Sequence, residues 1–141
     1  MRYRWLMVTG LSVTVAGCAL ITDPDEQLDS FVYTAESHGQ TLTPGVDAEG
    51  FRGQIQLIGY LNTPTPCHEL KGRIETRGSQ VTLHVTARST GSPECLTILG
   101  AFRYQAGIHG LRAGTWELRV LHEFPDANWQ TQELKVNVEV R

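Results

Sequence analysis

Two His-Glu pairs, at residues 68–69 and 122–123, are the first candidates for metal chemistry. Each begins the zinc-binding pattern H-E-x-x-H, which needs a helix to place both histidines on one face. Neither pair completes the pattern, because the fifth positions are Gly72 and Asp126. Both stretches also alternate like strands, in which neighbouring side chains point to opposite faces. The pairs therefore predict no metal site, and we expect no cofactor.

Nucleophilic chemistry has two further candidates. Residues 35–39, AESHG, approach the pattern G-x-S-x-G, but the first glycine is an alanine and no strand-to-helix setting surrounds the serine. Cys67 lies beside His68 and could be a thiolate nucleophile. In an exported chain that has a partner cysteine, a disulfide is the better interpretation. The five histidines of the chain are His38, His68, His84, His109 and His122. No two of them have the spacing of metal ligands on one strand face. We expect no catalytic residues and no enzymatic activity.

The start of the chain has the pattern of an export signal. Arg2 and Arg4 precede an uncharged, largely apolar run over residues 5–17. That run is shorter than the roughly 20 residues that a membrane-spanning helix needs. A basic start followed by a short apolar segment and small residues is typical of a secretory signal peptide, which we predict for residues 1–17.

Residues 15–18, Val-Ala-Gly-Cys, resemble the lipobox of bacterial lipoprotein precursors. The resemblance implies lipidation of Cys18 through a thioether, cleavage before it, and acylation of the new amino terminus by a fatty acid such as palmitate. Ala19, in place of aspartate, resembles the pattern of lipoproteins destined for the outer membrane. The alternative is an ordinary secretory peptide, cleaved elsewhere, in which Cys18 has no role.

The cysteine count supports lipidation. Three cysteines in an exported domain leave one without a partner, and lipidation of Cys18 accounts for it. We therefore expect a disulfide between Cys67 and Cys95 in an oxidising compartment.

The mature chain is acidic. Removal of Arg2 and Arg4 leaves ten basic residues against 15 acidic ones, a net charge of −5. Such a chain offers no basic footprint for nucleic acid and no polybasic patch for anionic lipid. Residues 18–30 contain four acids and no basic residue, which indicates a solvated tether behind the lipidated cysteine.

Alternating apolar residues run through the rest of the chain. In residues 80–88 Val81, Leu83 and Val85 share one face, while polar residues share the other. The segments predicted as strands are 31–37, 53–61, 67–76, 80–88, 95–108, 115–123 and 133–140. Short strands with turn residues between them favour an all-β sandwich, here one antiparallel domain of about seven strands over residues 31–141.

The expected disulfide restricts how the strands can be arranged. If the three strands from residue 67 to residue 106 formed a flat meander, Cys67 and Cys95 would lie two strand spacings apart, about 9.5 Å. A disulfide needs Cα atoms within about 7 Å. One of these strands must therefore leave the sheet, as a sandwich allows.

Residues 111–120, LRAGTWELRV, are similar to the segment L-x-x-G-T-Y-x-L-x-V of immunoglobulin-like and fibronectin-type-III-like domains. In those domains the tyrosine bonds back to the preceding corner, and here Trp116 takes its place with an indole N–H that can donate. The resemblance implies an immunoglobulin-like sandwich. Cys67 and Cys95 do not have the cysteine–tryptophan–cysteine spacing of antibody domains.

The loop at residues 124–132, FPDANWQTQ, is the candidate binding loop. The residues that would contact a partner are Phe124, Asp126, Asn128 and Trp129. The matching loop of immunoglobulin-like folds is often a recognition loop, and loops on rigid scaffolds commonly carry function. The alternative is that Trp129 folds back and caps the core.

These observations predict a non-catalytic binding module of the cell envelope. The membrane would hold it through the lipid anchor, and its partner would be another envelope protein or a glycan. One alternative is a protease inhibitor that presents loops, although the N-P-T-T-G-Y segment of the chagasin-like inhibitors is missing. A second alternative is a metal-binding or enzymatic envelope protein. A protease panel and metal analysis distinguish the three.

Overall fold

The computed structural model describes residues 27–36 and 41–141. These residues form eight strands in two four-stranded sheets, ordered β1-β6-β3-β2 (sheet A) and β4-β5-β7-β8 (sheet B). The strands are β1 (Leu28–Ala35), β2 (Gly45–Phe51), β3 (Gln54–Thr63), β4 (His68–Arg77), β5 (Gln80–Ser89), β6 (Gly100–Ile108), β7 (Gly114–Glu123) and β8 (Gln132–Val140). The predicted all-β sandwich is confirmed. None of the described residues forms a helix long and apolar enough to cross a membrane.

Three elements differ from the sequence-based expectation. β2 was not predicted, because its inward positions are Val46, Ala48 and Gly50, which give little apolar signal. The segment predicted as a strand over 95–108 is a strand only from Gly100, and residues 95–99 form a loop. β1 begins at Leu28, inside the segment assigned to the tether.

The chain leaves sheet B after β5, forms β6 in sheet A, and returns as β7 beside β5. β5 and β7 are therefore parallel, whereas every other pair of strands is antiparallel. Because β6 lies in the other sheet, Cys67 and Cys95 can approach each other. Their Cα atoms are 6.0 Å apart and the disulfide is formed, which confirms that one strand leaves the meander.

The core lies between the two sheets and consists of the alternating residues predicted to face inward. Val81, Leu83 and Val85 are fully buried, as are Leu118 and Val120 of the neighbouring strand. Burial of this alternating apolar surface is the main contribution to the stability of such a sandwich.

The corner before β7 has the backward hydrogen bond that the sequence resemblance implies. Trp116 is buried, and its Nε1 donates to the carbonyl oxygen of Arg112 at 2.9 Å. The Arg112 guanidinium lies 5.3 Å from the indole centroid, where a cation is attracted to the ring face. The immunoglobulin-like relationship itself stays a prediction.

The two ends of the sandwich differ. At one end, the turn end, short turns at 52–53, 78–79 and 109–113 join the strands, and Leu28 pairs with Ile108 where the described chain begins. At the other, the loop end, lie the loops 64–67, 90–99 and 124–131. A ten-residue strand such as β5 separates the two ends by about 30 Å.

Candidate binding site

The loops of the loop end are tied together by covalent and hydrogen bonds. The Cys67–Cys95 disulfide joins loop 64–67 to loop 90–99, and the Thr90 backbone N–H donates to the carbonyl of Cys67 at 3.0 Å. Both cysteines are half-buried. This bond removes Cys67 as a nucleophile, since no free thiolate remains.

The proline-containing loop is braced by its neighbours. Thr63 is fully buried, and its hydroxyl donates to the carbonyl of Thr65 at 2.6 Å. The same carbonyl lies 2.9 Å from Nδ1 of the buried His68. Because a carbonyl only accepts, that nitrogen carries the proton. His68 therefore holds loop 64–67 in place and does not act as a base for Cys67.

The two aromatic residues of the predicted binding loop differ in burial. Phe124 is only 5% exposed and belongs to the core, whereas Trp129 is 36% exposed. The two rings meet edge to face with centroids 5.3 Å apart. Phe124 therefore supports the ring of Trp129 and also lines the groove beside it. Its contact with a partner stays a prediction. Asn128 is exposed.

Asp126 fastens this loop to the end of β5. Its Oδ2 accepts a hydrogen bond from the Ser89 backbone N–H at 2.9 Å, and its Oδ1 lies 3.7 Å from Nη1 of Arg88. Asp126 therefore positions the loop.

A groove of about 310 Å³ runs beside Trp129. Its walls include Thr86, Arg88, Glu123 and Pro125. Glu123 is already engaged, since it accepts hydrogen bonds from Thr86 and pairs with His84 Nδ1 at 2.7 Å. The groove thus offers an aromatic wall and the exposed guanidinium of Arg88.

Loop 90–99 adds three exposed aliphatic side chains that the sequence analysis missed. Leu96 is 57% exposed, and Ile98 and Leu99 are also exposed. The sequence pattern predicted a strand here because the segment is apolar on both faces. The preceding Gly91-Ser92-Pro93 was the available signal, because it delays the start of the strand.

Among the residues that the structure describes, the remaining histidines lie apart from one another. His84 lies on the outer face of sheet B between Glu123 and Glu75, whose Oε2 is 3.7 Å from its Nε2. His122 is fully buried, and His109 is exposed. Within residues 27–36 and 41–141, no three His, Cys, Asp or Glu side chains are arranged to hold a metal ion. His38 lies outside the described residues.

Burial and ion pairs shift four pKa values. Burial lowers the pKa of His122 to about 4 and raises the pKa of Tyr104 above its ordinary range. On the outer face of sheet B, the hydrogen bond from Arg73 lowers the pKa of Glu75, and the one from Arg119 lowers the pKa of Glu133. None of these groups lies in the loop end.

The predicted lipidation site, Cys18, the signal peptide and most of the acidic tether lie outside the described residues. Comparison of the chain with protein-family models, curated proteins and solved structures found no significant match.

Proposed function

We propose that this chain is a bacterial lipoprotein of the cell envelope and that its sandwich is a non-catalytic binding module. The loop end would contact an envelope protein or a glycan. The observation that carries this proposal is that two loops of that end, 90–99 and 124–131, each expose apolar side chains. These side chains are Leu96, Ile98, Leu99 and Trp129.

The two loops follow β5 and β7, which are neighbours in sheet B. Apolar surface exposed at one end of a small soluble domain commonly marks a contact surface. Tryptophan is also among the residues that contribute most to binding where a partner covers it. The edge-to-face contact with Phe124 orients the ring of Trp129 before any partner arrives.

The bonds within the loop end also favour binding. The disulfide and the contacts of Asp126 restrict loops 90–99 and 124–131. A loop that is ordered beforehand loses less conformational entropy when it binds.

The end of the sandwich at which the described chain begins supports this proposal. The described chain enters at the turn end, where Leu28 pairs with Ile108. A lipid on Cys18 would therefore be tethered to the end opposite Trp129, about 30 Å away along a strand. Because β1 begins at Leu28, the nine residues 19–27 separate Cys18 from the sandwich and would reach about 30 Å if fully extended. The loop end would then be accessible from the side away from the membrane.

The test is crosslinking in living cells with a photoreactive amino acid at position 129 of the full chain. The matched control carries it at Asn137, which is exposed on the outer face of sheet B. We expect one discrete adduct from position 129, weakened by Leu96→Ser, and none from position 137. Equal adducts from both positions, or an adduct insensitive to Leu96→Ser, would contradict a partner at the loop end.

A protease inhibitor is the second candidate, favoured by the disulfide-braced, exposed loop 90–99. Incubating the intact chain with a panel of serine and cysteine proteases tests it. Inhibition that is lost when the disulfide is reduced would support an inhibitor function. If no protease of the panel is inhibited, the inhibitor proposal is wrong.

A further inference from the structure

A concave surface larger than the groove beside Trp129 lies on the outer face of sheet A. This sheet-A trough has a volume of about 600 Å³ and crosses all four strands. The polar side chains that line it include Asp29, Asp47, Glu49, Gln54, Gln56 and Gln105. Phe51, on the edge strand β2, supplies an exposed aromatic ring.

The strand register arranges the lining in two rows across the sheet. One row is Ser30, Gly107, Gln56 and Glu49. The next is Val32, Gln105, Ile58 and Asp47. Four strands at a spacing of about 4.8 Å make each row roughly 14 Å long, which is the length of a short oligosaccharide.

Gly107 forms the low point of the first row. A Cβ added there would meet the Ser30 Oγ at 3.2 Å, and its next neighbour would be 3.9 Å away. The glycine thus leaves space between the side chains of Ser30 and Gln56, and a ligand can approach the sheet closely at this point.

The polar groups of the trough are available for a ligand. Among the described residues, none of the three glutamine amides makes a side-chain hydrogen bond, and no carboxylate of the trough is in an ion pair. Amides both donate and accept, carboxylates accept, and no basic side chain lines the surface.

We propose that the sheet-A trough is a binding site for a neutral oligosaccharide. Sugar hydroxyls both donate and accept, so they match amides and carboxylates set side by side, and the apolar face of a sugar ring can pack on Phe51. Acidic glycans would meet the carboxylates of Asp29, Asp47 and Glu49. Arg103, in the neighbouring row of sheet A, lies outside the lining.

An extended peptide fits this surface less well. Peptides that join a sheet pair with the free backbone groups of an edge strand. The centre of the trough is formed by β3 and β6, each of which is already paired on both sides. Recognition there must come from side chains, as it does for sugars. This site is independent of the loop end, and either can fail without the other.

The test is isothermal titration of the full chain, extracted in a detergent without a sugar head group. The probes are chitotetraose, cellotetraose and maltotetraose, with tri-galacturonate and trilysine as comparisons. We expect at least one neutral tetrasaccharide to bind, and the comparisons not to bind. Gln56→Ala combined with Gln105→Ala should weaken binding at least about tenfold, the effect expected when hydrogen bonds to a ligand are lost.

Asn137→Ala is the matched control, because it removes an exposed amide from the outer face of the other sheet. It should leave the affinity unchanged, and all variants should keep the parental melting temperature. Three results overturn the proposal: no neutral tetrasaccharide binds, binding survives the glutamine substitutions, or trilysine binds in preference to the sugars.

Discussion

The hydroxyl of Tyr104 lies 2.8 Å from Nε2 of His122 and joins the two sheets through the centre of the core. Tyr104 belongs to β6 in sheet A and His122 to β7 in sheet B, and both side chains are fully buried. The rings are perpendicular, with centroids 5.7 Å apart. Gln132 lies opposite His122 in β8 and offsets only part of the cost of burying a charge there, so the core holds a neutral imidazole that resists a second proton.

Acid should therefore destabilise the fold. Burial lowers the pKa of His122 from 6.5 to about 4, so between these values the unfolded chain binds a proton that the folded chain does not. The stability that this histidine contributes is complete above pH 6.5 and is lost as the pH falls towards 4. The expected loss is about 3 kcal/mol.

Urea unfolding at a series of pH values measures this loss. His109→Gln removes an exposed histidine and should leave the pH dependence unchanged, whereas His122→Gln should flatten it between pH 6.5 and 4. An unchanged slope in His122→Gln would show that other groups cause the acid sensitivity.

Gly59 should tolerate no side chain. It faces Tyr104 from the adjacent strand, and an added Cβ would overlap the tyrosine ring. Gly59→Ala should lower the free energy of unfolding by about 3 kcal/mol, at the upper end of overpacking costs. In Gly45→Ala the new Cβ would have only Thr43 O nearby, at 3.8 Å, so this control should unfold like the parent in thermal melts. Equal melting temperatures for the two variants would refute the close contact.

The disulfide should stabilise both the domain and its loop end. Cys67 and Cys95 are 28 residues apart, and closing a loop of that length stabilises a fold by about 3.5 kcal/mol in the chain-entropy model. Replacing both cysteines with serine should lower the melting temperature measured without reductant. Reduction should lower the melting temperature of the parent and leave that of the double variant unchanged. A parent whose melting temperature does not respond to reductant would contradict the prediction.

The anchor prediction rests on Cys18 and is tested on whole cells. Cys18→Ala should move the protein from the membrane fraction to the soluble exported fraction, because no thiol remains for lipidation. Cys67→Ala is the control and should stay with the membrane.

Intact mass spectrometry of the membrane-extracted chain provides a second measurement of the anchor. We expect a mass that begins at Cys18 with a diacylglycerol group and one further acyl chain. Reduction of the Cys67–Cys95 disulfide should add the mass of two hydrogen atoms. An unlipidated mass would place the anchor elsewhere.

Alternation of apolar residues was enough to locate most strands, because the period of two is a local property of a pleated chain. It failed at β2, where Ala48 and Gly50 face the core. The reason is tertiary: the backbone of Glu139 in β8 approaches Gly50 so closely that only a glycine fits. Nothing near Gly50 in the sequence reveals a neighbour 89 positions away.

The candidate sites were predictable to different degrees. The aromatic loop at 124–132 was recognised, but the sequence could not separate the buried Phe124 from the exposed Trp129. The sheet-A trough was not recognised at all. Its residues lie on four strands whose neighbours depend on the order β1-β6-β3-β2.

By itself the sequence determined the all-β class, the inward faces of most strands and the disulfide that takes one strand out of the meander. Only the tertiary structure decided that β5 and β7 are parallel, that Tyr104 meets His122, and that Leu96 is exposed beside the disulfide. The division has a physical cause. Burial patterns follow from the residues along a strand, whereas strand order and contacts between sheets depend on packing between segments far apart in the chain.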